Sequence, residues 1–203
     1  MLIIIFILVF LVVFIFGWRY LSRRKVIPCP VCMAWLLDLP LGEKLANNTL
    51  DRIGIKPNQR VLEIGPGTGR VLIPAAKRVL PHGEVVGLDI QPGMLKRLQE
   101  HAKQSGITNL TAVLGDAREV HFPQESFDVI YLCYVLGEVP DPEIALKQGY
   151  VALKKGGRFS VTETIADPHY QTRSRVKRLA EAAGFRLENI YGRWYYFTAN
   201  FVK

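Results

Sequence analysis

The sequence predicts an α/β fold: a doubly wound sheet of seven strands, mostly parallel, with an antiparallel C-terminal hairpin, preceded by one transmembrane helix. Three observations predict it. Short apolar runs rich in Val, Ile and Leu alternate with helical stretches from Val61 onward. A glycine-rich turn, Gly65-Pro66-Gly67-Thr68-Gly69, follows the first run, and an acid, Asp89, closes the second. Met1 to Trp18 contains no charged side chain and is almost all Leu, Ile, Val and Phe.

The N-terminal run reads as a retained anchor. Eighteen helical residues at about 1.5 Å each span roughly 27 Å, enough for a bilayer core. Arg19 can snorkel to the headgroups, and Trp18 and Tyr20 suit the interface. A cleaved signal peptide fits poorly, since there is no basic leader and no small-x-small cleavage site. Arg19, Arg23, Arg24 and Lys25 follow at once, so the positive-inside rule places the rest of the chain in the cytoplasm. The expected organisation is an anchor over residues 1–21, a basic and interfacial linker over 22–44, and one domain over 45–203. Nearly 160 residues suffice for one core and not for two. The net charge is +8, and the four basic residues after the anchor supply half of it. They attract an anionic bilayer, while the thin spread of the other charges argues against a nucleic-acid partner.

In the linker, Val31 to Leu37 is apolar, Trp35 suits a headgroup layer, and Pro40 ends the run. Leu41 to Ile53 carries Leu41, Leu45, Leu50 and Ile53 at helical spacing. Residues 31–50 are either a cap over the site or a spacer that packs on the core. Cys29-Pro30-Val31-Cys32 has no second pair to complete a zinc site, so no metal is expected and these thiols read as structural or incidental.

Val61 to Ile64 reads as the first strand. A helix runs from Arg70 to Val79 and stops at Pro81-His82-Gly83. Glu84 to Leu88 is the second strand, and a helix from Pro92 carries Met94, Leu95, Leu98 and Ala102 to a stop at Gly106. Leu110 to Leu114 and Phe127 to Leu132 are the third and fourth strands. Asp141 is the expected N-cap, with Pro142 in the first turn, of a helix from Glu143 to Leu153. Phe159 to Glu163 is the fifth strand, and Arg173 to Ala183 is helical up to Gly184. Phe185 to Tyr191 and Trp194 to Phe201 form the terminal hairpin around Gly192-Arg193.

A strand, a glycine turn, a helix and an acid at the next strand tip form a layout that holds a nucleoside-bearing cofactor. The dinucleotide fingerprint would need a glycine at position 70, where the chain has Arg70. The pattern Glu63-x-Gly65-x-Gly67-x-Gly69 instead resembles the first motif of class I methyltransferases that use S-adenosylmethionine. Gly115-Asp116-Ala117, the strand Phe127 to Leu132, and Leu153-Lys154-Lys155-Gly156-Gly157 are similar to that family's later motifs, with Lys155 where a proline is usual. The resemblance covers roughly residues 45–203 and implies a Rossmann-like fold, S-adenosylmethionine as cofactor, and methyl transfer.

It also implies site roles. Gly65, Gly67 and Gly69 let the backbone approach the methionine and ribose. Glu63 faces the ligand's ammonium, Asp89 takes the ribose hydroxyls, Ile90 lies against adenine, and Asp116 with the Ala117 amide reads the adenine edge. The methyl is already activated, so the protein chiefly aligns the reactants and excludes water. Candidates for acid–base or contact roles lie where the fourth and fifth strands end: Cys133, Tyr134, Glu138, Glu163, His169 and Tyr170. Of these, Cys133 reads as a pocket wall. The imidazole of His169, in the candidate lid Asp167-Pro168-His169-Tyr170, suits proton transfer at neutral pH. The fourth strand ends without the D/N-P-P-Y/F motif of nucleic-acid amino methylation. The expectation is a single-pass membrane methyltransferase with a lipid or hydrophobic small-molecule acceptor. A membrane-tethered cofactor-binding module without turnover and a protein methyltransferase stand as alternatives.

Overall fold

In a computed structural model, which describes residues 17, 20, 28–32 and 41–203, seven strands form one sheet in the order β3-β2-β1-β4-β5-β7-β6. The strands are β1 (Arg60–Ile64), β2 (Glu84–Asp89), β3 (Leu110–Leu114), β4 (Phe127–Cys133), β5 (Leu153–Thr164), β6 (Arg186–Arg193) and β7 (Tyr196–Val202). The first five run parallel, and β7 pairs antiparallel with both β5 and β6. The helices are α1 (Leu41–Ile53), α2 (Leu72–Arg78), α3 (Pro92–Gln104), α4 (Pro142–Ala152) and α5 (Arg173–Ala182), with a 3₁₀ turn at Leu136–Glu138. The predicted doubly wound α/β sheet with its antiparallel hairpin is therefore present.

The expected anchor, apart from Gly17 and Tyr20, lies outside the described residues, as do most of the basic linker and Trp35. Among the described residues no helix is long and apolar enough to cross a membrane.

Both faces of the sheet are covered, which is why its central strands read as unbroken apolar runs rather than alternating ones. On one face Leu62, Val86, Ile130, Phe159 and Val161 pack with Leu146 of α4 and Leu179 of α5. On the other, Val61, Val85, Val129 and Tyr131 pack with Leu50 and Ile53 of α1, Leu72 and Ala75 of α2, and Leu98 of α3. Each fully buried Leu or Ile contributes about 1.5–3 kcal/mol relative to exposure. Polar pairs hold β7 against β5 and α1: Ser160 donates to Asn200 at 2.5 Å, Asn200 Nδ2 donates to the Arg52 carbonyl at 2.8 Å, and Thr162 meets Thr198 at 3.0 Å.

Four local expectations change. Leu45 is exposed, and the buried face of α1 is Ala46, Thr49, Leu50 and Ile53. β5 starts at Leu153, which pairs with Phe127 before a register shift, so Gly156 at φ 71 sits within the strand. Asp141 occupies the N-cap position in a left-handed conformation, but its side chain makes no cap bond. Its carboxylate turns to Arg118 at 3.5 Å. In the hairpin Arg193 pairs with Tyr196, so the turn is Trp194-Tyr195 rather than Gly192-Arg193. Gly192 takes φ 91 inside β6 instead, where a Cβ would meet the Tyr196 carbonyl at 2.4 Å.

Candidate active site

A cavity of about 610 Å³ opens where β1, β2 and β4 end. Parallel strands bring their carboxyl ends, and the loops that follow, to one edge of the sheet, and that edge is where open α/β sheets hold ligands. Its walls are predominantly apolar, including Ile64, Met94, Val135 and Val139.

The glycine turn forms one wall. The backbone amide of Gly67 donates to Asp89 Oδ2 at 3.1 Å, and that of Gln91 donates to Oδ1 at 2.9 Å. These bonds aim the carboxylate and leave each oxygen a lone pair for a ligand hydroxyl. Burial raises the Asp89 pKa, while the backbone donors oppose the shift. Gly65 sits at φ 72, and a Cβ there would lie 2.5 Å from Val135, itself a wall residue. Gly69 differs. It does not line the cavity, and at φ 94 its Cβ would meet Leu98 at 2.4 Å. Its Cβ position faces Leu98 of α3 and Ile73.

Glu63 lies beneath the turn, 2% exposed, and Tyr131 donates to its Oε2 at 2.8 Å. Burial pushes its pKa up to about 8; the Tyr131 bond and the Arg70 charge oppose the rise, and the Asp89 charge adds to it. A buried carboxylate short of positive charge suits a ligand ammonium at the cavity floor. Arg70, which stands in the last position of the dinucleotide pattern, lines the cavity with its guanidinium 5.6 Å from the Tyr134 ring centre.

Across the mouth, Asp116 and Ala117 line the wall beside exposed Ile90. Asp116 is already gripped by Arg118, whose Nε reaches its two oxygens at 3.0 and 3.1 Å and whose Nη2 donates at 2.6 Å. The Arg118 bonds hold the Asp116 carboxyl below the usual range. Its acceptor capacity toward any ligand is thus shared with Arg118, a residue sequence reasoning missed.

The candidate acid–base residues separate. Tyr134, at φ 62, Cys133, Glu138 and His169 line the cavity, whereas Glu163 and Tyr170 do not. Burial raises the hydroxyl pKa of Tyr134, and a hydrogen bond with Tyr196 adds to the shift. Burial likewise pushes the Cys133 thiol well up, as fits a wall residue. Glu138 is raised to about 8 by burial, then by the Asp167 charge, and accepts from the Cys29 amide. Glu163 is buried behind the site; one oxygen accepts from the Gln171 amide at 3.0 Å and the other has no hydrogen-bond partner. The His169 backbone packs so tightly on the 3₁₀ turn that a Cβ on Gly137 would lie 2.0 Å from its carbonyl oxygen.

The cap is not α1. Pro28, Cys29 and Pro30 line the cavity instead. Gln91 Nε2 donates to the Cys29 carbonyl at 3.0 Å, and Val31 is close enough to Gly93 to meet a Cβ there at 3.0 Å. No periodicity in so short a segment signals this. Together the hydroxyl acceptors at Asp89, the acid at Glu63 and the cleft beside Ile90 fit a nucleoside carrying a cationic tail.

Comparisons with known proteins agree with this geometry. Residues 55–192 match a family described as a methyltransferase domain. The chain is 38% identical over 124 residues to the ubiquinone/menaquinone biosynthesis C-methyltransferase of Proteus mirabilis, covering 59% of this chain and 49% of that one. It is 35% identical over 126 residues to the aklanonic acid methyltransferase of a Streptomyces species, covering 62% and 56%. It thus spans about half the length of the curated relatives it matches. Among solved structures, a SAM-dependent methyltransferase from Aquifex aeolicus aligns with a TM-score of 0.78 at 20% identity, covering 85% of this chain and 98% of that one, a likeness of fold.

Proposed function

Because the chain belongs to the methyltransferase-domain family, we propose that it is a membrane-anchored, S-adenosylmethionine-dependent methyltransferase acting on a lipid or hydrophobic small-molecule acceptor. The observation that carries the cofactor is the Asp89 carboxylate, aimed by the Gly67 amide into a cavity whose floor is Glu63. When bound, the cofactor supplies a methyl group already activated on positive sulfur. Asp89 then orients the ribose end, Glu63 balances the ammonium, and Ile90 with Met94 offers apolar surface to the base. Val135, Val139 and Pro140 keep water from the reacting atoms. Glu138 lines the cavity and holds its own proton up to about pH 8, so it would serve as a base toward an acceptor hydroxyl only once that proton has left.

Two observations support a hydrophobic acceptor. The cavity walls are predominantly apolar, and the apolar run before Trp18 would hold the mouth near a bilayer. The Proteus mirabilis relative is named for ubiquinone and menaquinone biosynthesis, and a quinone-type ring is the acceptor chemistry we carry to this chain. The domain stands on the cytoplasmic side in this reading, so exposed Cys32 escapes an impermeant thiol reagent in intact cells.

The test is transfer itself. Full-length protein is incubated with methyl-labelled S-adenosylmethionine and membranes from its own source, and the mixture is extracted with organic solvent. Label in the organic phase is expected, and mass spectrometry then identifies the acceptor. Label confined to protein would overturn the lipid acceptor in favour of a protein substrate. Cofactor binding without any transfer would leave a tethered binding module.

A further inference from the structure

The strand register sets the β6–β7 turn beside the cavity. β7 runs antiparallel to β5 with Tyr196 opposite Thr164, so the turn Trp194-Tyr195 lies at the edge where the parallel strands end. Two bonds join that turn to a cavity wall. The Ile165 amide donates to the Tyr195 carbonyl at 2.8 Å, and the Tyr170 hydroxyl donates to the Trp194 carbonyl. Between those two residues stand Ala166, Asp167, Pro168 and His169, all of which line the cavity.

What this turn shows to solvent is unusual for a soluble surface. Trp194 is 62% exposed and Tyr195 is 43% exposed, packed edge to face on each other at 5.6 Å between ring centres. Ile165 and Tyr191 are exposed as well. Scattered apolar residues need no explanation, but a contiguous patch with aromatic tips does. Basic residues flank the turn on its own hairpin and on α5, while the adjoining wall carries the acid Asp167. Arg193 is exposed, Arg173 donates to the Gly192 carbonyl at 2.7 Å, and α5 continues with Arg175 and Lys177. No Asp or Glu occurs from Asn189 to Val202. Tryptophan and tyrosine with arginine are the side chains that sit in a headgroup layer.

The chain length argues for the same occupant. Ten peptide steps separate Trp18 from Pro28, a reach of at most about 35 Å when fully extended. Pro28 lines the same cavity that the turn adjoins. A chain anchored by its first eighteen residues therefore cannot carry this end of the domain far from the bilayer.

We propose that the Trp194-Tyr195 turn, with exposed Arg193, is a second membrane contact that seats the cavity mouth on an anionic bilayer surface. The proposal rests on the membrane-anchored reading. Aromatic tips enter the headgroup layer, Arg193 meets anionic lipid, and the wall from Ile165 to Tyr170 stands at the interface. A hydrophobic acceptor then passes from lipid to cavity without crossing water.

The chain has three tryptophans, Trp18, Trp35 and Trp194, which makes the test direct. Full-length protein labelled with 5-fluorotryptophan is placed in bilayers of phosphatidylcholine with phosphatidylglycerol, with and without lipid spin-labelled near the headgroup. Trp18→Phe and Trp194→Phe assign the fluorine resonances. Loss of the Trp194 resonance with spin label, weakened when the bilayer is neutral or when Arg193→Glu is present, is expected. An unaffected Trp194 beside a lost Trp18 would overturn the proposal while leaving the anchor intact. A lost Trp194 beside an unaffected Trp18 would keep the contact and remove the anchor. If neither responds, both ideas fall.

Discussion

The backbone amide of Gly67 donates to the Asp89 carboxylate at 3.1 Å, so the turn after β1 and the acid closing β2 are one unit. Asp89→Asn keeps the shape but removes the charge and half the acceptor capacity. Hydrogen bonds to charged groups contribute about 1.5–3 kcal/mol, so cofactor affinity is expected to fall about 10–100-fold. Titration calorimetry with S-adenosylhomocysteine reads this, and unchanged affinity refutes the ribose role.

Glu63 and Glu138 both hold their protons to about pH 8 in the folded protein, whereas an unfolded Glu releases its proton near about 4.3. Between those values the native state binds more protons than the unfolded one. Stability is therefore full below the lower value and declines as pH rises through the upper one. The urea midpoint of cofactor-free protein is expected to drop between about pH 5 and 8, and Glu63→Gln should flatten that slope.

The same protons should leave when a cationic ligand arrives. At neutral pH the cofactor's ammonium favours ionised Glu63, so binding is expected to release protons. Calorimetry in buffers of differing ionisation enthalpy measures the number released, and Glu63→Gln should lower it. No buffer dependence would contradict the assignment.

Gly65 and Gly69 have the same positive-φ habit and different neighbours. Gly69→Ala drives a Cβ against Leu98, in the core, and is expected to cost about 1–3 kcal/mol of stability. Gly65→Ala pushes on Val135, at the cavity wall. Its loss should therefore fall more on cofactor affinity than on melting temperature. Equal effects on both readouts for the two variants would dissolve the distinction.

Arg118 holds Asp116 through three side-chain contacts. Arg118→Ala leaves Asp116 with the freedom to turn from the cavity. Cofactor binding is expected to weaken by less than about tenfold, with the melting temperature nearly unchanged. Asp116→Ala should weaken it further, and tighter binding in Arg118→Ala would mean that the arginine competes with adenine.

The parts of the site on continuous stretches of chain were legible. Glu63, Gly65 and Gly67 follow from a strand running into a glycine turn, and Asp89 from the end of the next strand. These are local patterns that a parallel sheet always gathers at one edge. Gly69 looked like the others because spacing cannot distinguish a glycine at the cavity wall from one packed under a leucine. The grip of Arg118 on Asp116 was hidden because any arginine near an acid on a loop looks like a solvated charge. The hairpin turn was misplaced by two residues because Gly192 carries a positive φ within the strand, where turn chemistry would normally put it outside.

By itself the sequence determined the order of strands and helices, the doubly wound sheet and the cofactor edge, since each rests on local periodicity and on glycines that nothing else replaces. The tertiary structure decided what came from separate parts of the chain. It brought Pro28 to Pro30 to the cavity wall, left Glu138 facing in and Glu163 behind, and set Trp194 beside the wall. Those outcomes depend on desolvation and contact between residues far apart in sequence, quantities that exist only once the chain has folded.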